Sequence, residues 1–140
     1  MKRIRRMLLV FFLSAAALLV SAPAHAASGG GCDAPHWYNG GQSSVKACIS
    51  YDWNWGWPVY LPTGYFSGPT PGGCTYAMTI EYWRNDGSYG NYRYGNSCPP
   101  GQIPDGGNWK ADDYSAMRII VYVFVNGNEV AESWSPIQYK

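Results

Sequence analysis

The chain has 140 residues, ten Lys and Arg against nine Asp and Glu, 46% hydrophobic residues and 16% aromatics. That length holds one ordinary domain. The near-neutral charge, with no basic stripe, excludes a nucleic-acid-binding surface.

In chain order, the first element predicted is a leader. Met1-Lys2-Arg3-Ile4-Arg5-Arg6 is a basic head, Met7 to Val20 is an apolar run broken only by Ser14, and Ala24-His25-Ala26 supplies small residues for cleavage. These are the parts of a secretory signal peptide, and the apolar run is shorter than the roughly 20 residues of a membrane span. The expected organisation is a cleaved signal over 1–26 and one secreted β-domain over 27–140. Cleavage removes four cations and no acid, leaving six bases against nine acids, a net charge of −3. Nothing in that balance points to a membrane after cleavage.

Beyond the leader, helix periodicity is absent and strand signals recur. The opening 28–41 reads as irregular. Val45 to Tyr51 alternates, with Val45, Ala47, Ile49 and Tyr51 on one face. The aromatic run Tyr51-Asp52-Trp53-Asn54-Trp55-Gly56-Trp57-Pro58-Val59-Tyr60 follows. In an extended chain Trp53, Trp55 and Trp57 share a face about 6.6 Å apart. Such a strip would offer flat indoles to pyranose rings, with Asn and Asp for the hydroxyls. The same strip could equally be the inward face of a thin core. The segment 56–73, with four prolines, reads as an irregular connection hiding one strand near Gly64-Tyr65-Phe66.

Cys74 to Trp83 alternates again, with Tyr76, Met78, Ile80 and Tyr82 opposite Thr75, Thr79 and Glu81. Asn85-Asp86-Gly87 signals a turn. The Tyr/Gly/Ser/Asn mixture over 88–94 has the composition of an adaptable binding loop, so Tyr89, Tyr92 and Tyr94 are expected to extend the aromatic surface, together with Trp83. Segment 95–107 reads as irregular. Met117 to Val125 is a β-branched and aromatic run that belongs in the middle of a sheet. Asn126-Gly127 suits a two-residue hairpin, with Val123 expected opposite Val130 and Ile119 opposite Trp134.

Short strands separated by turn signals predict an all-β fold, a small antiparallel sandwich, immunoglobulin-like or similar. Cys32, Cys48, Cys74 and Cys98 are an even set in an exported domain and predict two disulfides. Three pairings are open. Cys32–Cys48 with Cys74–Cys98 closes the two shortest loops, and Cys48–Cys74 with Cys32–Cys98 comes next.

Catalytic chemistry lacks parts. His36 is the one histidine after the leader, and no serine has a nucleophile-elbow context. Glu81 with Asp112-Asp113 could form the carboxylate pair of a glycosidase, but Glu81 falls on the polar face of its strand, where a solvated carboxylate is expected. No cofactor is expected, and no acid spacing matches a metal-binding loop.

The runs Cys48-Ile49-Ser50-Tyr51-Asp52-Trp53-Asn54-Trp55, Cys74-Thr75-Tyr76-Ala77-Met78-Thr79-Ile80 and Pro100-Gly101-Gln102-Ile103 resemble segments of the small secreted α-amylase inhibitors of the tendamistat type. The resemblance implies a disulfide-bonded β-sandwich that blocks a glycosidase. The Trp-Arg-Tyr triplet with which that family inhibits is absent, as is a cysteine in the last strand.

Two functional expectations result. The first is a monomeric, non-catalytic module binding extracellular carbohydrate through Trp53, Trp55, Trp57, Tyr89, Tyr92 and Tyr94. The second is a secreted inhibitor, or toxin-like effector, of an extracellular glycosidase or protease.

Overall fold

The computed structural model describes residues 30–54, 56–103 and 106–140, so the expected leader and Trp55 lie outside the described residues. In chain order the strands are β1 (Gly31–Cys32), β2 (His36–Tyr38), β3 (Ser43–Asn54), β4 (Trp57–Ser67), β5 (Cys74–Arg84), β6 (Tyr89–Ser97), β7 (Trp109–Lys110), β8 (Tyr114–Val125), β9 (Asn128–Trp134) and β10 (Gln138–Tyr139). They form two antiparallel sheets. One runs β1–β3–β4–β7, with β2 beside β1 on β3; the other runs β10–β8–β5–β6, with β9 also on β8.

Alternation decides what lies between the sheets. Val45, Ala47 and Ile49 of β3 form a core with Tyr76, Met78 and Ile80 of β5 and with Met117, Ile119, Val121 and Val123 of β8, all buried. Each such side chain contributes roughly 1.5–3 kcal/mol by leaving water. Placing Met117–Val125 in mid-sheet is correct, since β8 has β5 on one side and β9 and β10 on the other.

The proline-rich segment holds a full strand, longer than the one predicted near Gly64. Phe66 N–H donates to the Gly101 carbonyl, while the Gly64 and Pro62 carbonyls accept from Ile103 and Gly106 N–H. Even-numbered residues of β4 therefore turn their backbone groups away from β3. Pro58 and Pro62 are even-numbered, so β4 loses no donor to β3 by having them.

From Tyr89 onward the 88–94 segment is likewise a strand rather than a loop, because β6 pairs along its whole length with β5 from Thr75↔Ser97 to Trp83↔Tyr89. Its glycines respond to packing: a Cβ at Gly90 would meet the Tyr82 ring at 2.6 Å. Loop-like composition here reflects close approach of an aromatic ring.

The Asn126-Gly127 turn is confirmed, with both residues at positive φ (52° and 81°) and Val125 opposite Asn128. The register beyond it differs from expectation. Val123 pairs with Ala131 and Phe124 with Glu129, so Val130 is an extra residue in β9. That bulge places Trp134 opposite Ile120 instead of Ile119. A one-residue shift exchanges faces, so Trp134 is turned out of the core and Ser133 into it.

The bridges are Cys32–Cys48 and Cys74–Cys98, the pairing with the shortest loops. Cys32 and Cys48 are direct partners in the β1–β3 register, and the Cys98 N–H donates to the Cys74 carbonyl. Both bridges therefore link residues that the backbone hydrogen bonding already holds side by side.

Candidate functional site

The expected strip of three tryptophans does not form. Asn54 pairs with Trp57 and Trp53 with Pro58, so the chain reverses between Asn54 and Trp57, with Gly56 at φ +89°. Paired residues share a face. Trp53 therefore continues the face of Val45, Ala47, Ile49 and Tyr51, and Trp57 lies with Asn54 on the opposite face. Both are exposed, Trp53 at 69% and Trp57 at 48%, which removes the core reading for these two. Trp55 lies outside the described residues.

Trp57 forms one wall of a shallow cleft on the outer face of the first sheet. Val59, Asn54, Asn108 and Lys110 complete it, around a volume of about 150 Å³. The ladder explains the grouping, since Lys110 of β7 is the direct partner of Val59. The Lys110 ammonium sits 4.9 Å from the centre of the Trp57 ring, within cation–π range. Sequence reasoning missed Asn108 and Lys110. They lie in a Gly-rich segment without periodicity, and only the pairing of the two-residue β7 brings them to Trp57.

The tyrosines divide as well. Register puts Tyr92 and Tyr94 on the inward face of β6, opposite Ile80 and Met78, and Tyr89 outward with Trp83. Tyr92 remains exposed because it stands at the lateral opening of the sandwich, 6.3 Å from Trp109 and 6.0 Å from Tyr94 by ring centres. Trp109 fills that opening against Tyr82 and Tyr114, and its indole N–H donates to the Gly106 carbonyl. Tyr89 and Trp83 are 5.5 Å apart on the outer face of the second sheet. The six expected residues thus do not share one surface.

On that outer face Glu81 is held rather than solvated. Arg118 pairs with its carboxylate, and the Tyr89 hydroxyl donates to it at 2.6 Å. That bond, ahead of desolvation, raises the Tyr89 pKa. The Arg118 guanidinium lies over Trp134 at 4.6 Å and Trp83 at 5.9 Å, so the two indoles and the ion pair form one layer over β5, β8 and β9. Trp134 is in this layer only because of the Val130 bulge.

His36 is engaged too: its Nε2 lies 2.8 Å from Asp33 Oδ2. The same oxygen accepts the Ser133 hydroxyl and the Trp134 N–H, and Ser133 Oγ accepts the Ala47 N–H. Serine and histidine here both face one carboxylate, which differs from the Ser–His–Asp order in which the histidine bonds the serine. The cluster ties the N-terminal segment to β9 across the junction of the sheets.

Among the described residues no three His, Cys, Asp or Glu side chains converge to hold a metal, and no helix is long and apolar enough to cross a membrane. Compared with protein-family models, curated proteins and solved structures, the chain finds no match, so the likeness to α-amylase inhibitors gains no support there.

Proposed function

We propose that the protein is an exported, non-catalytic module that binds carbohydrate through exposed aromatic side chains. The observation that carries this reading is the Trp57 cleft. A small domain benefits from burying every large apolar group, yet Trp57 stands half-exposed beside two carboxamides and an ammonium. An indole covers the C–H face of a pyranose ring, and each carboxamide offers donors and an acceptor to adjacent hydroxyls. Trp53 at the same hairpin tip gives a polymer a second aromatic contact. Both cysteine pairs being bridged suits an oxidising compartment outside the cytosol. A non-catalytic role is supported by the state of the candidate acid, since Glu81 is engaged by Arg118 and Tyr89.

The test is co-sedimentation of the oxidised chain lacking residues 1–26 with insoluble cellulose, chitin, peptidoglycan and pectate. Retention on at least one, lost in Trp57→Ala, is the expected result. Failure on all four, with stoichiometric inhibition of a glycosidase or protease instead, would move the assignment to the inhibitor reading.

A further inference from the structure

We infer that the Trp57 cleft takes a single hexuronate unit of an acidic polysaccharide, with the Lys110 ammonium on its carboxylate. The inference rests on the carbohydrate reading and assigns the substrate class.

Size sets the first limit. About 150 Å³ is well below the roughly 300–1,000 Å³ of pockets for drug-sized ligands, and suits one sugar ring of a longer chain. Charge sets the second. Among the described residues Arg118 and Lys140 each have a carboxylate within 4.0 Å, whereas Lys110 has none and rests on an aromatic ring. Lys46, Arg84 and Arg93 also rest on rings, but none of them lines the cleft. Lys110 therefore brings an uncompensated positive charge to a cleft that already carries sugar-binding groups.

The form of the charge argues for a carboxylate. One ammonium is a point charge without the fork of a guanidinium. It matches a monoanion, while a phosphate ester of nearly two charges calls for more than one cation or an arginine. The mature chain, at −3, would repel a dense polyanion unless the attraction were local.

The ladder also gives the ring a direction. Asp52, Val59 and Lys110 are successive partners across β3, β4 and β7, so Asp52 and Lys110 stand about two strand spacings, roughly 9.6 Å, apart. Asp52 is exposed and outside the cleft lining, so its carboxylate disfavours an anionic substituent on that side. The anionic substituent is directed to the Lys110 side of the cleft, whose other lining residues are Asn54, Trp57, Val59 and Asn108.

The experiment compares binding of the mature, oxidised chain to polygalacturonate, its methyl ester and cello-oligosaccharides. Polygalacturonate should bind about tenfold more tightly than its ester, the scale of one charge-assisted contact. Raising NaCl from about 0.05 to 0.5 M should reduce that preference. Lys110→Gln should erase the preference for the acid over the ester, Lys110→Arg should restore it, and Trp57→Ala should weaken both ligands. Equal binding of acid and ester by the wild type, or an unchanged preference in Lys110→Gln, would overturn the inference and leave the carbohydrate reading standing. Binding to none of the three would overturn the inference, and the carbohydrate reading falls with it only if chitin and peptidoglycan also fail to retain the protein. Lys110-dependent binding of a phosphate-linked glycan, without polygalacturonate, would replace the uronate.

Discussion

Asp33 illustrates how much one side chain can hold. It accepts the Trp134 N–H, the Ser133 hydroxyl and the Ala34 N–H, and lies beside the His36 imidazole. Partial burial pushes its carboxyl up, but these four partners together hold it below the usual value of 3.8. A depressed carboxylate stabilises the fold above its unfolded pKa, and that stability is lost as pH falls through the folded value. Denaturant midpoints should therefore decline below about pH 4 more steeply in the wild type than in Asp33→Asn. At neutral pH Asp33→Ala should cost about 2 kcal/mol, because it strands donors that served a charged acceptor. Tyr60 presents the opposite case. It is fully buried, its hydroxyl has no hydrogen-bond partner among the described residues, and burial followed by the nearby Tyr51 hydroxyl pushes it up to about 12. Tyr60→Phe removes an unsatisfied polar atom at little cost in shape. Urea unfolding should show it about 1 kcal/mol more stable than wild type, and a loss of that size would refute the account of this site.

At the scale of elements, the single extra residue Val130 sets the identity of two faces. It turns Ser133 inward to Asp33 and Ala47, and Trp134 outward over Arg118. Deleting Val130 removes the extra residue and leaves Ala131 opposite Val123 and Trp134 opposite Ile120, so the outward Trp134 and the Asp33 cluster should survive in an unbroken ladder. The change in stability should therefore stay below the roughly 2 kcal/mol that losing the cluster would cost. The check is the unfolding midpoint together with the environment of Trp134 in near-ultraviolet dichroism. The alternation of Val45–Tyr51 and Cys74–Trp83, the mid-sheet character of Met117–Val125 and the Asn126-Gly127 turn were all legible in the sequence, because each follows from local pattern or turn chemistry. The bulge was not, since no residue type demands it at Val130. Strand β4 was obscured by prolines harmless on the side facing away from β3. Strand β6 was obscured by glycines, one of which makes room for the Tyr82 ring. At the hairpin tip, Trp53-Asn54-Trp55-Gly56-Trp57 reads as perfect alternation, and only Gly56 hinted that the chain reverses there.

For the whole molecule, the two sheets and two bridges make a rigid frame that leaves several large aromatics outside the core. A bridge closing a loop of this length contributes on the order of 3 kcal/mol by restricting the unfolded chain. That stabilisation lets a thin core tolerate Trp53, Trp57, Tyr89 and Trp134 at the surface. The aromatics are spread over the hairpin tip, the lateral opening and the outer face of the second sheet, so overall aromatic content does not locate a site. Among the described residues an indole, two carboxamides and an ammonium meet across three strands at the cleft, and the proposal places the site there. The candidate site was thus half legible: Trp57 stood out in the sequence, while Asn108 and Lys110 are brought to it by pairing across about fifty residues of chain. The measurement that tests the central claim most directly follows the tryptophan indole N–H resonances of the mature, oxidised protein during titration with polygalacturonate and cello-oligosaccharides. Binding at the cleft predicts a saturable shift of Trp57, with Trp109, held to the Gly106 carbonyl inside the lateral opening, unmoved. Saturable shifts in Trp109 or Trp134 with Trp57 unchanged would contradict it.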